Sequence, residues 1–109
     1  MKITIQVRHD ATPERIKRYI RSEFVKLRMK DEILSADCVL DQEGTNGQFK
    51  SFEAVVRVTG DTIAVRETAR DVVPAINAAL VTLDRLLVQH KETHTRPGGQ
   101  IRHTIARKS

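Results

Sequence analysis

Tryptophan is absent from these 109 residues, tyrosine occurs once and phenylalanine three times. A surface that grips nucleic acid by stacking its bases needs several aromatic faces. Any nucleic-acid contact made by this chain therefore has to run through backbone phosphate, with Lys and Arg making it. Cysteine also occurs once, at Cys38. One thiol forms no internal disulfide and builds no zinc site alone, and its place in an apolar stretch predicts a buried group in a reducing compartment. No apolar run approaches the ~20 residues that span a bilayer, and the opening MKITIQVRHD is too polar and alternating for a secretory leader. A soluble cytoplasmic chain of one domain is expected, with no membrane partner.

What the chain does have is an uneven distribution of positive charge. The 19 cations and 14 carboxylates leave a net charge of +5. Residues 93–109 hold Arg96, Arg102, Arg107 and Lys108 and no carboxylate, so most of the excess lies there and the rest is nearly neutral. A second local excess falls on Pro13 to Lys30, PERIKRYIRSEFVKLRMK. Arg15, Lys17, Arg18, Arg21, Lys26, Arg28 and Lys30 stand there against only Glu14 and Glu23. Basic patches of this kind attract phosphate backbones.

Hydrophobic periodicity organises the rest. KITIQVR alternates, with Ile3, Ile5 and Val7 on one side, and predicts a half-buried strand. Thr12 as N-cap, Pro13 at the first helical position and Glu14 at the positive end of the dipole predict a helix start. Ile16, Ile20, Phe24 and Leu27 then form one narrow stripe, and the helix should end near Lys30 or Asp31. ILSADCVLD predicts a second strand with Ala36, Cys38 and Leu40 on one face. Asn46-Gly47 tolerates positive φ and predicts a hairpin connection. FKSFEAVVRVT places Phe52, Ala54, Val56 and Val58 together in a third strand, Gly60-Asp61 makes a tight turn, and TIAVRETA returns as a fourth. Asp71 opens a long second helix in which Ile76, Leu80, Leu83, Leu87 and His90 share a face, with Pro74 tolerable because it falls in the first turn.

The order βαβββα predicts an α+β fold. The first two strands pair in parallel through a right-handed crossover, and the last three form an antiparallel meander. Each helix has one apolar stripe, so both should cover the same face of a four-stranded mixed sheet. Residues 1–92 form the domain, and residues 93–109, broken by Pro97-Gly98-Gly99, are expected to be a basic flexible tail.

No catalytic constellation converges. His90 and His94 are four apart in HKETH, but no carboxylate or cysteine cluster stands beside them and His94 is expected past the helix end, so no metal is assigned. His90, at the edge of the leucine stripe, is read first as a packed or capping side chain. No Walker loop, dinucleotide fingerprint or nucleophile elbow appears, and no cofactor is expected. The acidic residues are scattered. An enzyme is the least favoured reading. At about 100° per residue, Lys17, Arg21 and Arg28 fall in one sector flanking the apolar stripe, with Arg15, Arg18 and Lys26 on the other flank and the back. Arg85 points away from the second helix's stripe, which would make the outer surface of the helical layer continuous and basic. Val81 and Val88, seven residues apart, form a small exposed apolar strip.

The strand order, the segment FVKLR closing the first helix, and VTGDTIAVRETARDVVPAINAALVTLDRLLVQHKE together resemble the ribosome hibernation promoting factor and ribosome-associated inhibitor A family, over about residues 1–92. The resemblance implies a double-stranded-RNA-binding-domain-like fold. It further implies docking on small-subunit ribosomal RNA, occluding the path of messenger and transfer RNA in stressed or stationary cells. Lys26 matches a basic position of the family's first helix and Arg85 one of the second, and Lys17, His90 and Lys91 fit further basic positions. Glu23 stands where the family has a lysine, and Thr82 and Gln89 where the second helix offers others. Arg18, Arg21 and Arg28, with Arg96 and Arg102 of the tail, complete the expected RNA-binding set. The other reading is a divergent module of the same fold that has left the ribosome and binds protein, or weakly self-associates, through the Val81/Val88 strip or a sheet edge. Deleting residues 95–109 is expected to leave the thermal unfolding transition in place while lowering the salt at which the protein leaves a phosphate-bearing polyanion, read by melting curves and salt-gradient elution.

Overall fold

The computed structural model describes residues 1–8, 13–28 and 33–94, with the backbone alone for Arg28, Thr93 and His94. The elements follow the predicted order: β1 (Lys2–Val7), α1 (Glu14–Arg28), β2 (Ile33–Glu43), β3 (Phe49–Val58), β4 (Asp61–Ala69) and α2 (Val72–His94). The predicted N-cap Thr12, the chain just after α1, and the tail beyond residue 94 lie outside the described residues.

The strands lie in the order β1-β2-β3-β4. β1 pairs β2 in parallel from Lys2↔Ser35 to Val7↔Leu40. β2–β3 and β3–β4 are antiparallel, with an irregularity between Ile33 and Ser35 where Leu34 turns outward. The alternation of each strand sends one set of side chains to a single dry face. Ala36, Cys38 and Leu40 meet Phe52, Ala54, Val56 and Val58, then Ile63 and Val65, and all are buried. The stripes of both helices close over that face, so Ile16, Ile20, Phe24 and Leu27 join Ile76, Leu80, Leu83 and Leu87 in one core. α2 lies over β3 and β4, which leaves β1 and β2 to α1.

Two departures from the predicted elements have simple causes. The connection read from QEGTNGQ is present but shorter, because β2 runs on to Glu43 and a single 3-10 turn at Thr45–Gly47 joins it to β3. Asn46 and Gly47 both take the left-handed conformation there, at φ 60° and 64°. A Cβ on Gly47 would push aside the end of the Gln42 side chain, and the positive φ favours glycine there. The second departure concerns α2, which continues through His94 instead of stopping before it. QHKETH contains no helix breaker, and the next proline is Pro97. Contrary to the expectation that no apolar stretch is long enough to span a bilayer, Val72–Glu92 is long and apolar enough by length and composition, since its few charged residues are spread among many apolar ones. Ala75, Ile76, Ala79, Leu83 and Leu87 are fully buried against the sheet, however, and this is the core helix of a globule.

Phe24 is completely enclosed, whereas its neighbour Val25 is 52% exposed. Phe24→Ala is expected to cost about 3–5 kcal/mol of stability and Val25→Ala to change it by no more than about 0.5 kcal/mol, both read from urea unfolding curves.

Candidate nucleic-acid interface

The position of α2 decides what each flank of α1 can do. The Tyr19 hydroxyl of α1 donates to Asn77 Oδ1 of α2, so that side of α1 faces its neighbour. Helical spacing places Arg15, Ser22 and Lys26 in the same row as Tyr19. Across from them, Val81, Asp84, Val88 and Lys91 extend the Asn77 row of α2. The two rows flank the groove that two helices packed side by side leave between them. Arg18 and Arg85 stand on the outer crests of the two helices, both exposed.

Lys17 and Arg21 point the other way, toward the β1 edge of the sheet. Arg21 lies near enough to Cys38 of β2 for its charge to act on the thiol. The predicted cations therefore split into two groups on opposite flanks of α1 and do not form one continuous basic layer. Lys26, Arg18, Arg85 and Lys91 belong to the groove and its crests, and Lys17 and Arg21 to the sheet edge. The backbone of Arg28 follows the second group by spacing. Arg96 and Arg102 lie outside the described residues. Arg15, not among the predicted contacts, is exposed in the Lys26 row. Its spacing of four and eleven residues from Tyr19 and Lys26 was the available signal.

His90 does not lie on the surface. It is only 7% exposed, in line with Leu83, Leu86 and Leu87 of the core. A phosphate contact from that position would require pulling it out of the packed layer. The same burial separates it from His94 as a metal pair, and no His/Cys/Asp/Glu group suited to a metal ion is found among the described residues.

The groove is tempered by acid. Lys26 Nζ donates to Glu23 Oε2 at 3.0 Å, an i,i+3 pair in which the lysine stays 72% exposed. Such a pair contributes only about 0–1 kcal/mol, so a phosphate can compete for Lys26, but Glu23 remains beside it. Asp84 stands half-buried on the facing flank. At the end where both helices begin, a recess of about 280 Å³ is lined by Arg8, Arg15 and Lys50 together with Asp41 and Asp71. Its charges are largely offset.

The open face of the sheet differs again. Arg57 pairs with Asp37 at 3.0 Å, Arg8 with Asp41 at 3.7 Å, and Arg66 with Glu43. Three of its cations are thus matched by carboxylates from neighbouring strands. Among the described residues, the exposed cations without a carboxylate at pairing distance lie chiefly on the helical side.

Residues 3–95 match the family described as sigma 54 modulation protein / S30EA ribosomal protein. The chain belongs to this family. Two solved structures share its fold. A ribosomal subunit interface protein from Coxiella burnetii superposes with a TM-score of 0.75 at 17% identity, covering 84% of this chain and 99% of that one. The N-terminal domain of Protein Y from Thermus thermophilus gives 0.74 at 22% identity, covering 83% and 99%. At these identities the likeness establishes the fold alone. Comparison with curated proteins gave no match.

Cys38 is 1% exposed. Burial, reinforced by Asp37 and partly opposed by Arg21, pushes its thiol from 9.0 up to about 12. The native protein is therefore expected to resist thiol-specific labelling at mildly alkaline pH and to react once unfolded. Because the folded state disfavours the thiolate, this contribution to stability is complete below pH 9 and falls away as the pH rises toward 12. Denaturant midpoints for the wild type and Cys38→Ala should accordingly converge toward the upper end of that range.

Proposed function

We propose that this protein is a ribosome hibernation factor that binds the small subunit in the cytoplasm. It would hold ribosomal RNA by backbone phosphate and block the path of messenger and transfer RNA when cells are stressed or stationary. Membership of the S30EA ribosomal protein family carries this reading, and the structural likeness to a ribosomal subunit interface protein is consistent with it. The helical layer is the side that meets the RNA. Arg18, Lys26, Arg85 and Lys91, joined by Arg15, present exposed charge there. With one tyrosine and no tryptophan, base stacking contributes little, and recognition is by shape and charge. Inhibition is steric, and no covalent step is assigned to any residue. Lys17, Arg21 and Arg28 reach RNA only if it also wraps the β1 side, and Arg96 and Arg102 add attraction from the tail.

A double charge reversal, Lys26→Glu with Arg85→Glu, is expected to abolish co-sedimentation with small subunits at moderate salt while the melting temperature holds. Removing a single phosphate contact should flatten the dependence of log affinity on log salt by about 0.9. Survival of full binding would rule out the groove as the footprint. Glu23→Gln removes the acid beside Lys26 and is expected to tighten binding severalfold in the same assay.

A second reading rests on Val81 and Val88, which are 71% and 42% exposed on the groove flank of α2. In that reading the strip docks a protein partner or a second copy. Dimerisation seen by sedimentation velocity and removed by Val88→Glu would favour it.

A further inference from the structure

We propose that the β1 edge of the sheet is a docking site for an acidic, extended peptide segment of another protein, which adds to the sheet as a fifth strand beside β1. The two edges of this sheet are finished differently. At β4 the helix-facing residues Ile63 and Val65 are only 4% and 2% exposed, because α2 lies fully over them. At β1 the corresponding residues Ile3, Ile5 and Val7 are only partly buried against the core. An added strand would complete their burial.

The backbone is oriented for such pairing. The Arg8 N–H donates to the Leu40 carbonyl at 2.8 Å, so Arg8 bonds inward to β2. The two-residue period of a strand then turns the N–H and C=O groups of Ile3, Ile5 and Val7 outward, along an edge that no other described strand pairs with. An exposed edge of this sort is a template for strand addition, in which main-chain hydrogen bonds supply affinity and alternate side chains supply specificity.

Charge selects the occupant. Lys17 and Arg21 overhang this edge from α1, and neither has a carboxylate within pairing distance among the described residues. Lys2 stands exposed on β1 itself. A second copy paired edge to edge would set these cations against their own equivalents. The chain's own C-terminal segment, which has no carboxylate from residue 93 onward, would be repelled in the same way. Side chains of an added strand alternate between the two faces of the sheet. A strand whose carboxylates share the helix-facing side meets Lys17 and Arg21 there, lays the carboxylates' methylene stems along the Ile3–Ile5–Val7 row and completes the backbone pairing, with its apolar residues on the open face. RNA would use only the cations.

The test uses the full chain, isotopically labelled and titrated with a synthetic peptide of alternating glutamate and valine, about eight residues long. A lysine–valine counterpart and a single-stranded oligouridine serve as comparisons. The expected result is chemical-shift change and exchange protection centred on the amides of Ile3, Ile5 and Val7, for the acidic peptide only. Lys17→Glu with Arg21→Glu should weaken that binding at least about tenfold. Ile5→Pro removes one outward N–H at an edge position that tolerates proline and should weaken it comparably, with the α2 amides unshifted as the check on folding. Equal binding of the lysine–valine peptide, or indifference to the charge reversal, would overturn the proposal. Peptide-induced shifts confined to the groove between α1 and α2 would also overturn it. So would oligouridine binding at this edge more tightly than the peptide, or edge shifts that grow with protein concentration when no peptide is present. None of these outcomes depends on whether the protein binds ribosomes.

Discussion

Only one face of the four-stranded sheet is dry, and two helices must cover it side by side. That constraint fixes most of the remaining architecture. The parallel β1–β2 pair needs a crossover, and its usual right hand sends α1 over the first half of the sheet. The chain leaving β4 returns as α2 over the second half. Phe24 and Leu83, each at zero exposure, close the layer from the two helices. Once the helices stand in parallel rows, each has one flank toward its neighbour, one crest toward solvent and one flank toward a sheet edge.

The electrostatic character of the surface derives from this arrangement. The open sheet face matches cations with carboxylates across strands, as in Arg57 with Asp37 and Arg8 with Asp41. Exposed pairs of this type add little stability, but they leave that face with weak net attraction for a polyanion. The helical side keeps more of its positive charge available. Even there the charge is divided, because α1 carries cations on both flanks and Glu23 holds Lys26 within hydrogen-bonding distance. A binding surface assembled from separated cations should respond to salt more than to base sequence.

Much of the architecture was legible in local pattern. The alternation of Ile3, Ile5 and Val7 specified β1, the stripe from Ile16 to Leu27 specified α1, and Phe52, Ala54, Val56 and Val58 marked the dry side of β3. Pro13 and Glu14 announced the start of α1, which begins at Glu14. The length of α2 was harder to read, since nothing in QHKETH either requires or forbids another helical turn, and the helix runs on to His94. His90 was legible only in part. Its place in the leucine stripe indicated burial, while its place in a basic family position indicated the surface, and packing against the core decided for burial at 7% exposure.

The sequence by itself determined which residues face inward and which carry charge outward, because side-chain periodicity is a property of each helix or strand alone. It did not determine which outward charges stand together. A helix has two flanks on either side of its apolar stripe, equivalent until a neighbour is placed against one of them. The Tyr19–Asn77 contact marks that choice here. It assigns Lys26 and Arg15 to the groove and leaves Lys17 and Arg21 above the sheet edge. Only tertiary structure makes that division, because it depends on where a second helix lies and not on the period of the first.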